Sequence, residues 1–237
     1  MTNTKATLLA FSQPASRIHT GELGIRGLDS VQELVAYCAR VSNPSNQINK
    51  ESTPKLLDYL IKHGHWSPFE MASATIEIET TRDIARQLLR HRSFSFQEFS
   101  QRYAEVTDLG KGEDWAVIRE ARLQDLKNRQ NSVETDDLEL KAWWEAQQKF
   151  LIQHTTSIYD EAIKRGIAKE QARVILPEGI TKSRLYVHGT IRSWIHYIDL
   201  RSKNGTQLEH VEVALAVAEA ISKIYPKVLD FTGEDDG

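Results

Sequence analysis

Residues 90–103 concentrate side chains that bind anions. The segment runs RHRSFSFQEFSQRY, with three arginines, a histidine, a glutamate and several hydroxyls among aromatic rings. The guanidinium fork of arginine matches the geometry of a phosphate or carboxylate. An arginine-rich helix end is more often a solvated face or a cap, but the alternation of polar and aromatic residues favours an extended segment packed on one side. The residues alone therefore predict a phosphate or nucleotide site.

The element before this segment has to position it. Residues 81–90 are predicted to form a helix, because apolar residues recur at helical spacing. One side of that helix carries Ile84, Ala85, Leu88 and Leu89. The other side carries Arg82, Asp83, Arg86, Gln87, Arg90 and His91. We expect the helix to bury the first side and to expose the second as a basic, hydrogen-bonding surface.

The remaining pattern predicts an α+β fold, with a mixed or antiparallel sheet flanked by helices in one domain over residues 1–237. Predicted strands cover 6–11, 71–80 and 183–188, and the tail 234–237 is expected to fray. Predicted helices cover 30–41, 53–61, 134–165, 170–175, 190–200 and 207–224. The long helix 134–165 carries large apolar residues that we expect in a core or an interface: Trp143, Trp144, Phe150 and Leu151.

Composition limits the possible functions. A net charge of −3 argues against a general nucleic-acid binder, so the basic cluster favours a small anionic ligand. No apolar run is long enough for a membrane span, and the N-terminus lacks a signal-peptide pattern. The single cysteine, Cys38, allows no internal disulfide and no cysteine metal cluster. We expect a cytoplasmic protein without a metal site or a membrane partner.

The basic segment also carries a longer motif. Arg90-His91-Arg92, followed by Ser100 and then Arg102-Tyr103, resembles the signature of flavin-dependent thymidylate synthases. Other elements resemble those of the same family and occur in the same order: 63–70 (HGHWSPFE), 172–177 (ARVILP) and 191–209, which ends in the Asp-Leu-Arg of residues 199–201 followed by Gln207 and Glu209. The resemblance extends from about residue 31 to residue 225.

The resemblance implies a set of ligand contacts. The residues implied for dUMP are Gln87, Arg90, Glu98, Ser100, Gln101, Arg102, Arg173 and Arg201. The residues implied for FAD are Ser67, Arg90, His91, Arg92, Glu98, Thr190, Arg192 and His196. Arg201 is the expected catalytic residue, because a guanidinium beside the uracil would stabilise developing negative charge. Weaker candidates are Ser42 and Glu70 for FAD, His65 near the folate entrance or as an ordinary half-buried histidine, and Glu170 as an ion-pair partner that orients Arg173.

Some positions depart from the family pattern. Gln97, Thr190 and His196 stand where the family often has asparagine, and Gly205 replaces a frequent histidine. Thr190 and His196 can still donate or accept hydrogen bonds, so both stay among the flavin candidates.

The expected reaction is methylation of dUMP to dTMP. In the resembling family, 5,10-methylenetetrahydrofolate donates the carbon and FAD, reduced by NADPH, supplies the hydride; active sites lie at the junctions of a homotetramer. Cys38, in an apolar helical setting, is expected to be an inert thiol rather than a nucleophile. Two other functions stay open: an RNA- or single-strand-binding module, which would purify without flavin, and an orphan flavin reductase, which would show no dUMP-dependent turnover.

Overall fold

Antiparallel strand pairing organises the chain. The computed structural model describes residues 4–15, 28–203 and 205–233. Its strands are β1 (Lys5–Phe11), β2 (Ser73–Thr81), β3 (Ser95–Glu98), β4 (Arg122–Gln124), β5 (Ser132–Glu134) and β6 (Lys182–Thr190). Four of them form a sheet in the order β1-β2-β6-β3, and β4 pairs with β5 in a hairpin. Every one of these pairings is antiparallel, which confirms the predicted α+β class.

The helices complete the architecture. They are α1 (Val31–Ala39), α2 (Thr53–Lys62), α3 (Arg82–Leu88), α4 (Leu138–Lys164), α5 (Lys169–Ala172), α6 (Ile191–Arg201) and α7 (Leu208–Ser222). Short 3₁₀ turns occur at Pro44–Asn46, Ser67–Met71, Val106–Asp108, Arg173–Ile175 and Pro226–Phe231. Ser30 caps α1 as predicted, because its side chain accepts a hydrogen bond from the Glu33 amide.

The main core lies between the sheet and the pair α6–α7. Strand β2 alternates as predicted, and Ala74, Ile76 and Ile78 are fully buried on one face. Trp194 on α6 and Val213 on α7 pack in the same buried cluster. Helix α6 follows β6 directly, and its packing on the sheet fixes the direction of the helix axis. The position of Arg201, the last residue of α6, is therefore fixed as well.

The structure corrects two helix boundaries. The helix predicted over 81–90 ends at Leu88, so Arg90 and His91 lie in the turn that follows it. The helix predicted from residue 134 begins at Leu138, where the Asp137 side chain accepts from the Leu140 amide. The β4–β5 hairpin lies before that start and was absent from the prediction.

The large apolar residues of α4 do not enter a core. Trp143, Trp144, Phe150 and Leu151 are 55%, 40%, 67% and 43% exposed, so the core part of the prediction is wrong. The buried side of α4 instead carries Ile152 and Tyr159, which pack in a second cluster with Trp115.

Membrane-spanning helices, metal sites and the C-terminal residues were also considered in the sequence-based expectations. Among the described residues, no helix is long and apolar enough to cross a membrane. Within the same ranges, no group of three or more His, Cys, Asp or Glu side chains is placed to hold a metal ion. Residues 234–237, where a frayed tail was predicted, lie outside the described ranges.

Candidate active site

Three helix ends meet at the candidate site. His91 follows the C-terminus of α3, Arg201 is the last residue of α6, and His210 lies in the first turn of α7. The Arg201 Nε donates to the His91 Nε2 at 3.1 Å. Two residues predicted for different ligands are therefore in direct contact.

The environment of His91 keeps it neutral. Burial lowers the pKa of His91, and the positive charge of Arg201 lowers it further, to about 4. A neutral ring that accepts at Nε2 must carry its hydrogen on Nδ1. The contact with Arg201 is thus a charge-assisted hydrogen bond to a neutral ring, so His91 does not cancel the charge of the guanidinium.

Arg201 keeps most of its donors for a ligand. The bond to His91 uses only Nε, and within the described ranges Arg201 forms no ion pair with a carboxylate. A guanidinium has five N–H donors in a fixed plane, so the four on the terminal nitrogens can meet an anion. This arrangement suits electrostatic stabilisation of a nearby developing negative charge.

Gln87 joins the same cluster through a histidine that the sequence analysis missed. The Gln87 Oε1 lies 3.1 Å from His210 Nδ1, and His210 Nε2 lies 3.2 Å from the Tyr197 hydroxyl. His210 and Tyr197 are almost fully buried. The missed signal was helical spacing: His210 is three and four residues before Val213 and Ala214, on the buried side of α7, and a buried histidine needs polar partners.

Glu98 and the start of α3 form a second polar group. The Glu98 Oε1 accepts from the Ser183 hydroxyl at 2.9 Å and lies 3.5 Å from Arg82 Nη1. Arg82 was predicted on the exposed side of the helix, but it is only 9% exposed, so that placement is wrong. Burial lowers the pKa of Arg82, and the nearby positive charge of Arg173 acts in the same direction while Glu98 opposes it. Arg173 lies in the 3₁₀ turn after α5.

The turn after β3 carries the rest of the signature. Ser100 and Arg102 are exposed, whereas Gln101 is 4% exposed and its Nε2 has no hydrogen-bond partner within the described ranges. A buried amide N–H without a partner is costly and suits a ligand acceptor. The Glu170 carboxylate lies 3.6 Å from Arg102 Nε, and no ion pair joins it to Arg173 in the described ranges. The expected orientation of Arg173 by Glu170 is therefore wrong.

Arg90 and Arg92 lie at the surface beside these groups. Both are exposed, and within the described part of the chain neither forms an ion pair. The structure does not join them by direct bonds to Gln87, His91 or Arg201. They present uncompensated positive charge next to the cluster, as an anionic ligand would require.

A cleft beside the first turn of α6 is lined by part of the flavin set. Ser67 and Arg192 line an open cavity of about 570 Å³ together with His65 and Trp66. Arg192 forms an ion pair with Glu70. The two neighbouring weaker candidates, His65 and Glu70, are thus in or beside this cleft.

Two of the four positions that depart from the family pattern, Thr190 and His196, are flavin candidates with structural contacts. The Thr190 Oγ1 caps α6 by accepting from the Ser193 amide at 3.2 Å. The His196 ring meets the Trp66 ring edge-on, with centroids 4.6 Å apart. Ser42, by contrast, lines a separate depression of about 450 Å³ beside Arg40 and Lys55. Ser42 is therefore not among the residues that line the cleft at Ser67.

Phe94 fixes the signature segment to the core. The centroid of its ring lies 4.4 Å from the ring centroid of Trp194 and 5.9 Å from that of Tyr197. Gly189 lies under this ring, and a Cβ there would come within 2.3 Å of Phe94 Cδ1. Only glycine leaves room at this point, so β6 and the signature segment can approach closely.

Comparison with known proteins identifies the family. Residues 25–227 match the model of the family described as thymidylate synthase complementing protein. A "Probable flavin-dependent thymidylate synthase" of Paramecium bursaria Chlorella virus 1 is 49% identical over 204 residues, 86% of this chain and 91% of the relative. A "Flavin-dependent thymidylate synthase" of Synechocystis sp. is 50% identical over 199 residues, 84% of this chain and 88% of the relative.

The fold comparison agrees with the sequence comparison. The crystal structure of a UMP/dUMP methylase, PolB from Streptomyces cacaoi, bound with 5-Br dUMP, matches with a TM-score of 0.76 and 26% identity, covering 98% of this chain and 95% of that one. With the family model matching most of the chain and relatives near half identity, the protein belongs to the flavin-dependent thymidylate synthase family.

Proposed function

We propose that this protein methylates dUMP to dTMP, with 5,10-methylenetetrahydrofolate as carbon donor and FAD, reduced by NADPH, as hydride source. The observation that carries the proposal is the convergence of Gln87 and His91, at the end of α3, with Arg201, at the end of α6, in a chain of this family. The structural relative bound to 5-Br dUMP supports a nucleotide substrate.

The nucleotide phosphate needs cations and hydroxyl donors. In the proposal Arg90, Arg102 and Arg173 supply the cations, and Ser100 and Gln101 supply further donors. The exposed arginines are accessible, and the Gln101 Nε2 is a buried donor whose partner within the described ranges is missing. A ligand oxygen at that nitrogen would remove the cost of a buried unpaired donor.

Arg201 acts on the base rather than the phosphate in this proposal. Its neutral partner His91 orients the guanidinium without cancelling its charge. Negative charge that develops on the uracil would meet that charge in a partly buried setting, where electrostatic interactions are stronger than in water. Gln87 would fix the base or sugar through its amide.

The chain also offers groups that fit FAD. Arg90 and Arg92, which form no ion pair within the described ranges, suit a diphosphate, and Ser67 and Arg192 line a cleft of about 570 Å³. We assign Ser67, Arg90, His91, Arg92, Glu98, Thr190, Arg192 and His196 to flavin binding. When bound, the flavin supplies the hydride chemistry, and the protein supplies binding, orientation and charge.

We further propose that residues 1–237 act as one thymidylate synthase domain in a homotetramer located in the cytoplasm. The support for assembly is the exposed apolar surface of α4, which carries Trp143, Trp144 and Phe150. Burial of such a surface against another copy would be favourable, and shared sites would help a chain of this size to bind three ligands.

The experiment that tests the function is a reconstitution with FAD, NADPH, dUMP and methylenetetrahydrofolate, in which dTMP is quantified by chromatography. We expect dTMP that depends on each of the four components. NADPH oxidation without dTMP would instead indicate an orphan flavin reductase. A protein that binds no flavin but retains single-stranded RNA would indicate the nucleic-acid alternative.

A further inference from the structure

His210 has no role in the function proposed above, yet it is a fully buried titratable side chain next to the site. It is 0% exposed, and its two ring nitrogens contact Gln87 and Tyr197 at 3.1 and 3.2 Å. It does not reach the surface, and the hydrogen bonds of its ring nitrogens go to protein groups rather than to an open position where a ligand could bind. Its position suggests that it acts through a neighbour.

A chain of hydrogen bonds from Gln87 to Glu209 fixes which side-chain atom donates and which accepts at each step. The Gln87 Nε2 donates to Gln207 Oε1 at 2.8 Å, and the Gln207 Nε2 donates to Glu209 Oε2 at 2.9 Å. Glu209 is ion-paired with Arg122. An ionised carboxylate can only accept, so Gln207 must turn its nitrogen towards Glu209 and its oxygen towards Gln87.

The same constraint passes on to His210. Gln87 must turn its nitrogen towards Gln207, which leaves its oxygen towards His210. An amide oxygen only accepts, so His210 carries its hydrogen on Nδ1 and donates it to Gln87. Burial, Arg201 and His91 lower the pKa of His210 to about 3, so the ring is neutral and Nε2 accepts from Tyr197. All bonds from Tyr197 to Glu209 therefore run in one direction.

We propose that His210 is a positioning residue that holds the Gln87 amide in the single orientation in which it binds dUMP; this inference rests on the proposed function. Both anchored ends of Gln87 are specified: His210 holds the oxygen and Gln207 holds the nitrogen. One N–H and one lone pair of the amide remain for the nucleotide. Without the His210 bond the Gln87 amide can rotate or flip. The binding of dUMP must then order this amide, and the entropy lost in ordering it weakens the affinity.

Two conservative variants separate positioning from packing. In His210→Asn the side-chain amide lies near the place of Nδ1 and can still donate to Gln87. In His210→Gln the longer side chain places its amide near Nε2, towards Tyr197. His210→Leu keeps volume and removes both bonds. The measurement is the Kd for dUMP with FAD-loaded protein, by calorimetry, together with dTMP formation, NADPH oxidation without nucleotide and thermal stability.

We expect dUMP binding about tenfold weaker in His210→Leu and His210→Gln, and recovery of most of that loss in His210→Asn. Flavin content and nucleotide-independent NADPH oxidation should change by less than about twofold. In a Gln87→Ala background, His210→Leu should add almost nothing, because its effect passes through Gln87. If His210→Leu does not fold, the Asn and Gln variants carry the same comparison.

Several results would overturn the inference. Wild-type dUMP affinity in His210→Gln, or equal losses in the Asn and Gln variants that follow their loss of thermal stability, would show a packing role. Additive losses in the Gln87→Ala background would show that His210 acts elsewhere. Absence of dUMP binding by the wild-type protein is a different outcome, since it would refute the proposed function itself.

Discussion

Replacement of Arg201 probes the electrostatic role directly. Its guanidinium uses Nε for the 3.1 Å bond to His91 and keeps its terminal nitrogens for a ligand. Arg201→Ala removes the charge and the donors. Arg201→Lys keeps a charge on one nitrogen, which cannot both replace Nε at His91 and present a planar pair of donors. Burial is the larger cause of the low His91 pKa, so we expect His91 to stay neutral at pH 7 in both variants.

The size of the effect follows from distance and environment. A unit charge about 4 Å from the developing charge is worth about 4 kcal/mol at an effective dielectric of about 20. Loss of one such preorganised donor lowers rates by roughly 10²–10³ in other enzymes. We therefore expect dTMP formation to fall by about 10²–10³ in Arg201→Ala and by less in Arg201→Lys.

The assay compares two half-reactions. We expect NADPH oxidation without nucleotide to fall far less than dTMP formation, because it involves no uracil. Arg165→Ala is the control, since Arg165 is an exposed arginine at the C-cap of α4 whose ion pair with Glu161 lies outside the site. Near-normal dTMP formation by a folded Arg201→Ala protein would refute the reasoning.

Three other predictions follow from single contacts. Cys38→Ser should keep substantial dTMP formation, because Cys38 is half-buried and burial raises the pKa of its thiol; a folded, flavin-bound but inactive variant would contradict a mechanism without a cysteine nucleophile. Gly189→Ala should lower the free energy of unfolding by about 1–3 kcal/mol, because the new Cβ collides with Phe94, and urea unfolding measures it. Stability should fall as the pH drops from about 6.5 towards 4, because His91 and His210 have lowered pKa values when folded and are protonated first in the unfolded chain. The slope should approach about 1.4 kcal/mol per pH unit for each histidine, and His210→Asn should remove its share.

The elements with a strong local pattern could be predicted from sequence. The alternation in β2 predicted its buried face, since a strand buried on one side must alternate, and it placed the strand at 71–80 against the observed Ser73–Thr81. Helix α6 and the placement of Arg201 at its end were also predicted, because apolar residues at helical spacing run up to that arginine.

The wrong predictions share a physical cause. Burial and pairing of these side chains depend on partners that are distant in sequence. Arg82 is buried because Glu98 on β3 lies next to it, and Glu170 meets Arg102 rather than its helical neighbour. His210 lies at the site because α7 packs against α6 and its first turn is hydrogen-bonded to Gln87 of α3, which no local spacing specifies. The exposed tryptophans of α4 are apolar without being core residues, and pattern alone does not distinguish a core from an assembly surface.

The central claim is dUMP-dependent methylation with a bound flavin. Its most direct test is to reduce the FAD-loaded protein with NADPH under anaerobic conditions, then add dUMP and methylenetetrahydrofolate while the flavin absorbance near 450 nm is recorded and dTMP is quantified. We predict flavin reoxidation that requires both additions and yields dTMP in equal amount. Reoxidation without dTMP, or a flavin that stays reduced when both are present, would contradict the account.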